Sequence, residues 1–241
     1  ESSLVRVITH AAKQKQSLYT PSDFSAVKLS MSHLEALQSQ YDIEAIYPAN
    51  SLQQGFVYHA LSQPDDDAYR VQTLMDYHRA LDVEHYKQAW VHAIQRYPIL
   101  RTCFNWDEAL IQVICKEGVF DFTFHDIESS KHKDEAVRQI QETDRLQAFD
   151  LQRPSLLRLH LIRHSNTHYT LLESMHHSIS DGWSGPILLN QVHAYYEQLD
   201  SGLVVVVQEE ATYLRAQAYL AEQQEVCQSF WKNIMHSVEQ A

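Results

Sequence analysis

One stretch of the chain decides the fold, residues 168–184, which run HYTLLESMHHSISDGWS. Residues 168–177 are rich in apolar side chains and predict a strand that ends at His176 and His177. Asp181 and Gly182 then mark a tight turn. After the turn, apolar residues recur along one side of a helix, at Trp183, Ile187, Leu188, Val192, Tyr195 and Leu199. The stretch therefore predicts a strand, a turn and a helix in direct succession.

Strand and helix patterns alternate in the rest of the chain. Strands are predicted at 69–80, 99–106, 110–115, 119–126 and 156–163, and helices at 32–41, 52–61, 83–97, 133–149 and 211–235. The helix over 83–97 has the clearest boundaries, because Asp82 caps its start and Pro98 ends it. Helices that alternate with antiparallel hairpins predict an α/β (α+β) domain whose mixed sheet is flanked by helices.

The first 29 residues are weakly patterned. The Pro-Ser-Asp cluster in YTPSDFS, residues 19–25, is typical of a linker or an extended arm. Ser32 followed by Glu35 has the spacing of a helix capping box, and Pro48 indicates a break after that helix. The folded domain is therefore expected over residues 30–241, and residues 1–29 are expected to be a linker.

Composition excludes several classes of function. The 31 acidic and 19 basic residues give a formal net charge of -12, which argues against binding to nucleic acid or to an anionic membrane. The longest aliphatic run, LVVVV at 203–207, is too short to cross a bilayer. Cys103, Cys115 and Cys227 lack the spacing of a zinc or redox motif, which predicts a reducing, cytoplasmic setting.

The adjacent histidines admit several interpretations. Successive strand residues point to opposite faces, so His176 and His177 do not both face one pocket, and this weakens a metal site. A serine hydrolase elbow requires glycines two residues on either side of the serine, whereas Gly185 directly follows Ser184. A buried, hydrogen-bonded histidine beside a helix-capping Asp181 stays open. So does a single histidine that acts as a general base for direct transfer between two bound substrates.

The whole string MHHSISDGWS, residues 175–184, closely resembles the His-His-x-x-x-Asp-Gly signature of condensation domains in nonribosomal peptide synthetases, which are chloramphenicol acetyltransferase-like proteins. Three more segments resemble motifs of that family in the same order: YPANSLQQGFVYHAL at 47–61, RYPILRTCF at 96–104 and FDLQRPSLLRLHLI at 149–162. The segment at 96–104 departs from the family motif at Tyr97-Pro98, where His-Glu is common. The resemblance covers about residues 43–235.

The resemblance implies roles for the motif residues. It implies that His177 faces the reaction channel as the catalytic base and that His176 supports it. Asp181 is then structural and pairs with Arg101, which supports the site, and Gly182 leaves room for the backbone at the turn. For Trp183, packing in the helix core is expected rather than contact with substrate.

The reaction that the resemblance implies is amide formation between a donor and an acceptor thioester. Phosphopantetheine arms deliver both substrates on peptidyl carrier proteins, so neither a metal nor a directly bound cofactor is expected. Condensation domains consist of two lobes. We therefore expect residues 30–241 to form the N-terminal lobe, residues 1–29 to be a linker or the tail of an upstream carrier protein, and the isolated lobe to be inactive without its C-terminal partner lobe.

Related functions remain as alternatives. Epimerisation domains share the signature but tend to continue Asp-Gly-Val-Ser-Trp, whereas this chain continues Asp-Gly-Trp-Ser. Heterocyclisation domains replace the histidines with aspartates. A freestanding acyltransferase that uses coenzyme A and a catalytically silent module that recruits carrier proteins also remain, although silent modules usually lose the second histidine. The amino acids joined, the donor stereochemistry and the oligomeric state cannot be inferred from the sequence.

Overall fold

The computed structural model describes residues 5, 6, 9 and 19–239, and it shows two β-sheets with helices packed around them. Most of the segment for which we predict a carrier-protein tail lies outside the described residues. Residues 19–29 are described, and part of this predicted linker packs against the fold. Pro21–Phe24 forms a 3-10 turn, and Phe24 is buried in a hydrophobic cluster of the smaller sheet.

The smaller sheet has three antiparallel strands in the order β1-β4-β3. They are β1 (Ile43–Pro48), β3 (Thr102–Asn105) and β4 (Ile111–Cys115). The β3–β4 hairpin confirms the sequence prediction. The sequence pattern does not predict strand β1, because Pro48 indicates a break there. A proline at the end of a strand, however, costs few ladder hydrogen bonds. Helix α1 (Met31–Gln40) packs on this sheet through Leu34 and Leu37.

The larger sheet has four strands in the order β2-β7-β6-β5. They are β2 (Arg70–Tyr77), β5 (Asp121–Asp126), β6 (Leu157–Ser165) and β7 (His168–His176). Strands β5 and β6 run parallel and the other pairs are antiparallel, which confirms the predicted mixed sheet. Strand β2 lies at the edge, so the side chains of its inner face are only partly covered.

The described part of the chain also contains five further helices, namely α2 (Ser51–Ser62), α3 (Val83–Arg96), α4 (Lys133–Arg145), α5 (Ser184–Asp200) and α6 (Thr212–Glu239). Helices α3 and α5 pack together over one face of the larger sheet, and their buried residues belong to one hydrophobic cluster with strand residues. Helix α4 lies on the opposite face, where Asp144 bonds to side chains of β2, β6 and β7. No helix in the described part of the chain is both long and apolar enough to cross a membrane.

A polar side chain caps the start of helices α1, α2 and α3. Asp82 accepts a hydrogen bond from the backbone N–H of His85, as the sequence predicts. Helix α1 begins earlier than predicted, because Ser30, not Ser32, accepts the bond from the N–H of His33. A side-chain acceptor at this position satisfies a backbone donor that the helix itself leaves unpaired.

We expect Asp82→Ala to lower the free energy of unfolding by about 1 kcal/mol, because α3 loses its cap. Urea denaturation followed by far-UV circular dichroism measures this change. Asp65→Ala serves as the control, since Asp65 is exposed and has no hydrogen bond among the described residues. Equal stability of the two variants would show that the cap contributes nothing.

Candidate active site

The histidine pair lies where β7 ends and the chain turns toward α5. The backbone N–H of His176 donates to the carbonyl of Leu156, just before β6, and that of His177 donates to the carbonyl of Tyr69, just before β2. The pair is therefore held by the strands on both sides of β7. The side chains face opposite ways, as the strand geometry predicts: His176 is 5% exposed, whereas His177 is half-buried and lines a cavity.

The ring of His177 is oriented by one hydrogen bond and one aromatic contact. Its Nδ1 lies 2.5 Å from the carbonyl oxygen of Ser180, which can only accept, so Nδ1 carries the proton. This leaves Nε2 as the unprotonated nitrogen of the neutral ring. The ring also stacks on Phe56 of α2, with centroids 5.4 Å apart and planes at 14°. The sequence analysis did not identify Phe56 as a site residue, because its contact with His177 joins segments far apart in the chain.

His176 has the character of a supporting residue. Its Nδ1 accepts a hydrogen bond from the backbone N–H of Ser178 at 3.2 Å and lies 2.8 Å from the Ser178 hydroxyl. Phe56 and Phe149 meet its ring edge-on. Burial, followed by repulsion from His177 and Arg70, lowers the pKa of His176 to about 4. His176 is therefore neutral at neutral pH and holds the turn.

Asp181 caps helix α5. Its Oδ1 accepts hydrogen bonds from the backbone N–H groups of Trp183 at 3.0 Å and of Ser184 at 2.8 Å. The Ser184 hydroxyl closes the turn by donating to the Asp181 carbonyl at 2.8 Å. These bonds, led by those from Ser184, lower the pKa of Asp181. The cap interpretation of Asp181 is thus confirmed.

The expected pair between Arg101 and Asp181 is wrong. Arg101 is 2% exposed and lies at the end of the 3-10 turn Pro98–Arg101, beside the smaller sheet. Its guanidinium donates to Glu44 at 2.5 Å and to Glu209 at 3.0 Å. Further bonds go to the carbonyls of Ile94, Gln95, Cys115 and Lys116. These partners engage all three guanidinium nitrogens, so Arg101 braces the smaller sheet rather than the histidine turn.

Two other expectations for the turn are also wrong. Trp183 is 85% exposed rather than packed in the core, because helix α5 begins only at Ser184 and the buried stripe begins at Leu188. Gly182 is not required for space, since a Cβ at this position would meet no atom within 4 Å. Its φ also lies outside the left-handed region, which Gly202 occupies within the described part of the chain.

We therefore expect Gly182→Ala to change the free energy of unfolding by less than about 0.5 kcal/mol. Gly118→Ala is the matched control, because its Cβ would lie 2.8 Å from Ile94 Cγ2 and 3.1 Å from Arg101 Cγ. Overpacking of this kind costs about 1–3 kcal/mol. Thermal unfolding of both variants measures the difference, and a large loss at Gly182 would contradict the open space around it.

A cavity of about 420 Å³ adjoins His177. Its lining comes from β2, β7, the turn and the first two turns of α5: Val71, Thr73, Glu173, Met175, His177, Ser180, Asp181, Gly182, Gly185, Pro186 and Leu189. The sequence analysis does not identify Glu173, because the apolar residues on both sides of it do not show which face of β7 the acid occupies. Glu173, Met175 and His177 alternate along β7 and so share the face that forms the cavity.

A chain of amide and hydroxyl groups connects the turn to α6. Gln53 Nε2 donates to the carbonyl of Ser178 at 3.4 Å and to the hydroxyl of Tyr213 at 3.3 Å. The Tyr213 hydroxyl donates to Gln112 Oε1, and Gln112 Nε2 donates to Gln217 Oε1 at 2.7 Å. This network joins α2, β4 and α6 to the residue that follows His177.

One group in the described part of the chain brings three metal-ligand side chains near one another: Asp76, His78 and His168, whose ligand atoms lie within 4.8 Å of one another. Bonds of about 2.0–2.1 Å to zinc place two ligand atoms at most about 4.2 Å apart, so these side chains would have to close in. His168 lies nine positions before His177 along the strand, which separates their Cα atoms by about 30 Å. The group is therefore separate from the histidine turn.

The chain has a strand, a turn and a helix in succession, and His177 of the turn lines a cavity. Comparison with known proteins shows which family has this arrangement. Residues 43–241 match the model of the condensation domain family, and the chain belongs to that family. The fold agrees: the starter condensation domain of rhizomide synthetase superposes with a TM-score of 0.70 at 18% identity, over 75% of this chain and 46% of that chain. The first condensation domain of the calcium-dependent antibiotic synthetase gives 0.68 at 16% identity, over 80% of this chain and 48% of that chain.

The relatives by sequence are large peptide synthetases. N-(5-amino-5-carboxypentanoyl)-L-cysteinyl-D-valine synthase of Penicillium rubens is 35% identical over 208 residues, which is 85% of this chain and 6% of that protein. Bacitracin synthase 3 of Bacillus licheniformis is 29% identical over 98% of this chain and 4% of that protein. The chain thus spans a small part of these curated relatives and about half of each of the two solved condensation-domain chains.

Proposed function

We propose that this chain is one lobe of a condensation domain that forms amide bonds in nonribosomal peptide synthesis. The observation that carries the proposal is the orientation of His177, whose Nδ1–H is bonded to the Ser180 carbonyl, so that Nε2 is the free basic nitrogen beside a cavity. The chain matches 46% of the rhizomide domain, so we propose that a second lobe of the same domain forms the opposite wall.

The chemistry follows from that orientation. The α-amine of an acceptor thioester attacks the carbonyl carbon of a donor thioester, and a new carbon–nitrogen bond forms at a tetrahedral centre. Nε2 of His177 orients the amine and accepts its proton. The carbon–sulfur bond then breaks, and the departing thiolate takes the proton. The Ser180 carbonyl stabilises the ring while it carries both protons, because the Nδ1–H bond strengthens when the ring is charged.

Peptidyl carrier proteins are the partners in this proposal. Each carries its substrate on a phosphopantetheine arm, so the arm is part of the substrate and the lobe itself needs no metal or directly bound cofactor. A cytoplasmic location belongs to the same proposal, because the three cysteines are free thiols, which suits a reducing compartment.

The test is amide formation between two loaded carrier proteins, followed by mass spectrometry of the released product. The complete two-lobed domain is expected to form the amide, and the 241-residue chain alone is expected not to. Inversion of the donor without amide product would instead indicate an epimerisation domain. Carrier binding without either reaction would indicate a recruitment module.

A further inference from the structure

Glu173 is a buried acid on the wall of the cavity beside His177. It is 7% exposed, lies in the middle of β7 and pairs across the sheet with Thr73 of β2 and Leu159 of β6. His177 lies four positions further along the chain, which in a strand places the two Cα atoms about 13 Å apart. The two side chains therefore face the same cavity from different depths.

The carboxyl of Glu173 has no partner within the described part of the chain. Its Oε2 is buried without a hydrogen bond. The nearby hydroxyls of Tyr77 and Tyr86 do not fill this role, since they lie 3.0 Å from each other and that of Tyr77 lies 2.8 Å from Nε2 of His193. Burial raises the pKa of Glu173 to about 7. An unpartnered buried carboxyl is costly, and such groups in folded proteins call for an explanation.

The sheet also offers a direct comparison. Asp144, buried on the opposite face, bonds to Arg158, His160, Ser174 and Gln72. Asp144 thus has hydrogen-bond partners for its carboxylate, whereas Glu173 in the cavity has none among the described residues. The walls beside Glu173 include Val71, Met175, Pro186 and Leu189, and no lysine or arginine is among the lining residues. A cationic group of a substrate that enters the cavity would therefore supply the positive charge that the cavity lining does not provide to Glu173.

We propose that Glu173 binds the terminal amine of a substrate side chain, of the lysine or ornithine class, on one of the two thioesters. This inference rests on the proposed function, because the proposed reaction places the thioester carbonyl near His177. The methylene stem of such a side chain packs against Met175 and Val71, while its ammonium group reaches the carboxylate. The site thus selects a cationic residue by charge at one end and by apolar contact along its length.

The test compares lysyl with norleucyl thioesters in the complete domain, first at the donor and then at the acceptor position. Norleucine keeps the four-carbon stem and lacks the amine. We expect the wild type to prefer lysine in kcat/KM by about 10- to 100-fold at one position, which is the usual value of a hydrogen bond to a charged group. Glu173→Gln should abolish this preference, and Glu173→Leu should reverse it. Glu142→Gln, an exposed acid on α4, is the matched control and should retain it.

Calorimetric binding of lysyl- and norleucyl-pantetheine amides gives a second readout that needs no turnover. Equal use of lysine and norleucine by the wild type at both positions, or a lysine preference that survives Glu173→Gln, overturns the inference and leaves the proposed function intact. Absence of amide product with every substrate counts against the proposed function instead. In that case, the binding ratio of the two amides still decides whether Glu173 recognises the amine.

Discussion

Replacement of His177 by alanine is expected to lower amide formation by about 10²- to 10⁴-fold, the range in which a positioned general base contributes. The loss arises because Nε2 is the basic nitrogen that the Ser180 bond leaves free at the cavity. The measurement is the rate of amide product between loaded carriers with the complete domain.

Two controls make this experiment specific. His132→Ala removes an exposed histidine that makes no side-chain cap bond at the start of α4, and this variant should keep full activity. Thermal unfolding should show that His177→Ala remains folded, since its ring is only half-buried. An active, folded His177→Ala variant would remove His177 from the mechanism.

The largest effect on stability is expected at Asp144. Asp144→Ala should lower the free energy of unfolding by about 3–5 kcal/mol, because it leaves the guanidinium of Arg158 buried without its counter-ion. Asp144 is 1% exposed and lies 2.7 Å from Nε of Arg158. Asp134→Asn, an exposed acid on the same helix, is the matched control and should change little. Urea denaturation measures both.

The same carboxyl predicts a dependence on pH. Burial alone would raise its pKa, but hydrogen bonds from His160, Arg158, Ser174 and Gln72 hold the pKa well below the usual value. A lowered folded-state pKa adds stability above the unfolded value of about 3.9, and this contribution is lost as the pH falls toward the folded-state pKa. The difference between wild type and Asp144→Asn should therefore be full at about pH 7 and smaller at about pH 3. A constant difference would contradict this linkage.

Local patterns predicted most of the helices and strands. Helix α3 follows from its cap at Asp82, its apolar stripe and Pro98, and the histidines lie at the end of a strand because the apolar run stops there. Strand β1 could not be inferred in the same way, because it is short and its partner β4 lies more than 60 residues further along the chain. Strand β1 forms because β4 offers it hydrogen-bonding partners in the folded sheet, and this cannot be inferred from the residues of β1 alone.

The site was predicted less completely than the fold. The motif identified the turn, but it could not give the environment of Arg101, whose partners Glu44 and Glu209 come from distant segments. Trp183 matched the apolar stripe of α5 in spacing, yet it precedes the first turn and points to solvent. Glu173 required knowledge of which face of β7 adjoins the cavity, and that depends on where α5 leaves the sheet uncovered.

The hydrogen bonds that join α6 to the histidine turn have a mechanical consequence. Gln53 bridges Tyr213, in the first turn of α6, and the carbonyl of Ser178, with bonds of 3.3 and 3.4 Å that are near the limit of the interaction. A shift of α6 by about 1 Å would break this bridge unless Gln53 moved with it. The position of α6 therefore decides whether the carbonyl of Ser178, the residue next to His177, keeps its amide donor from Gln53.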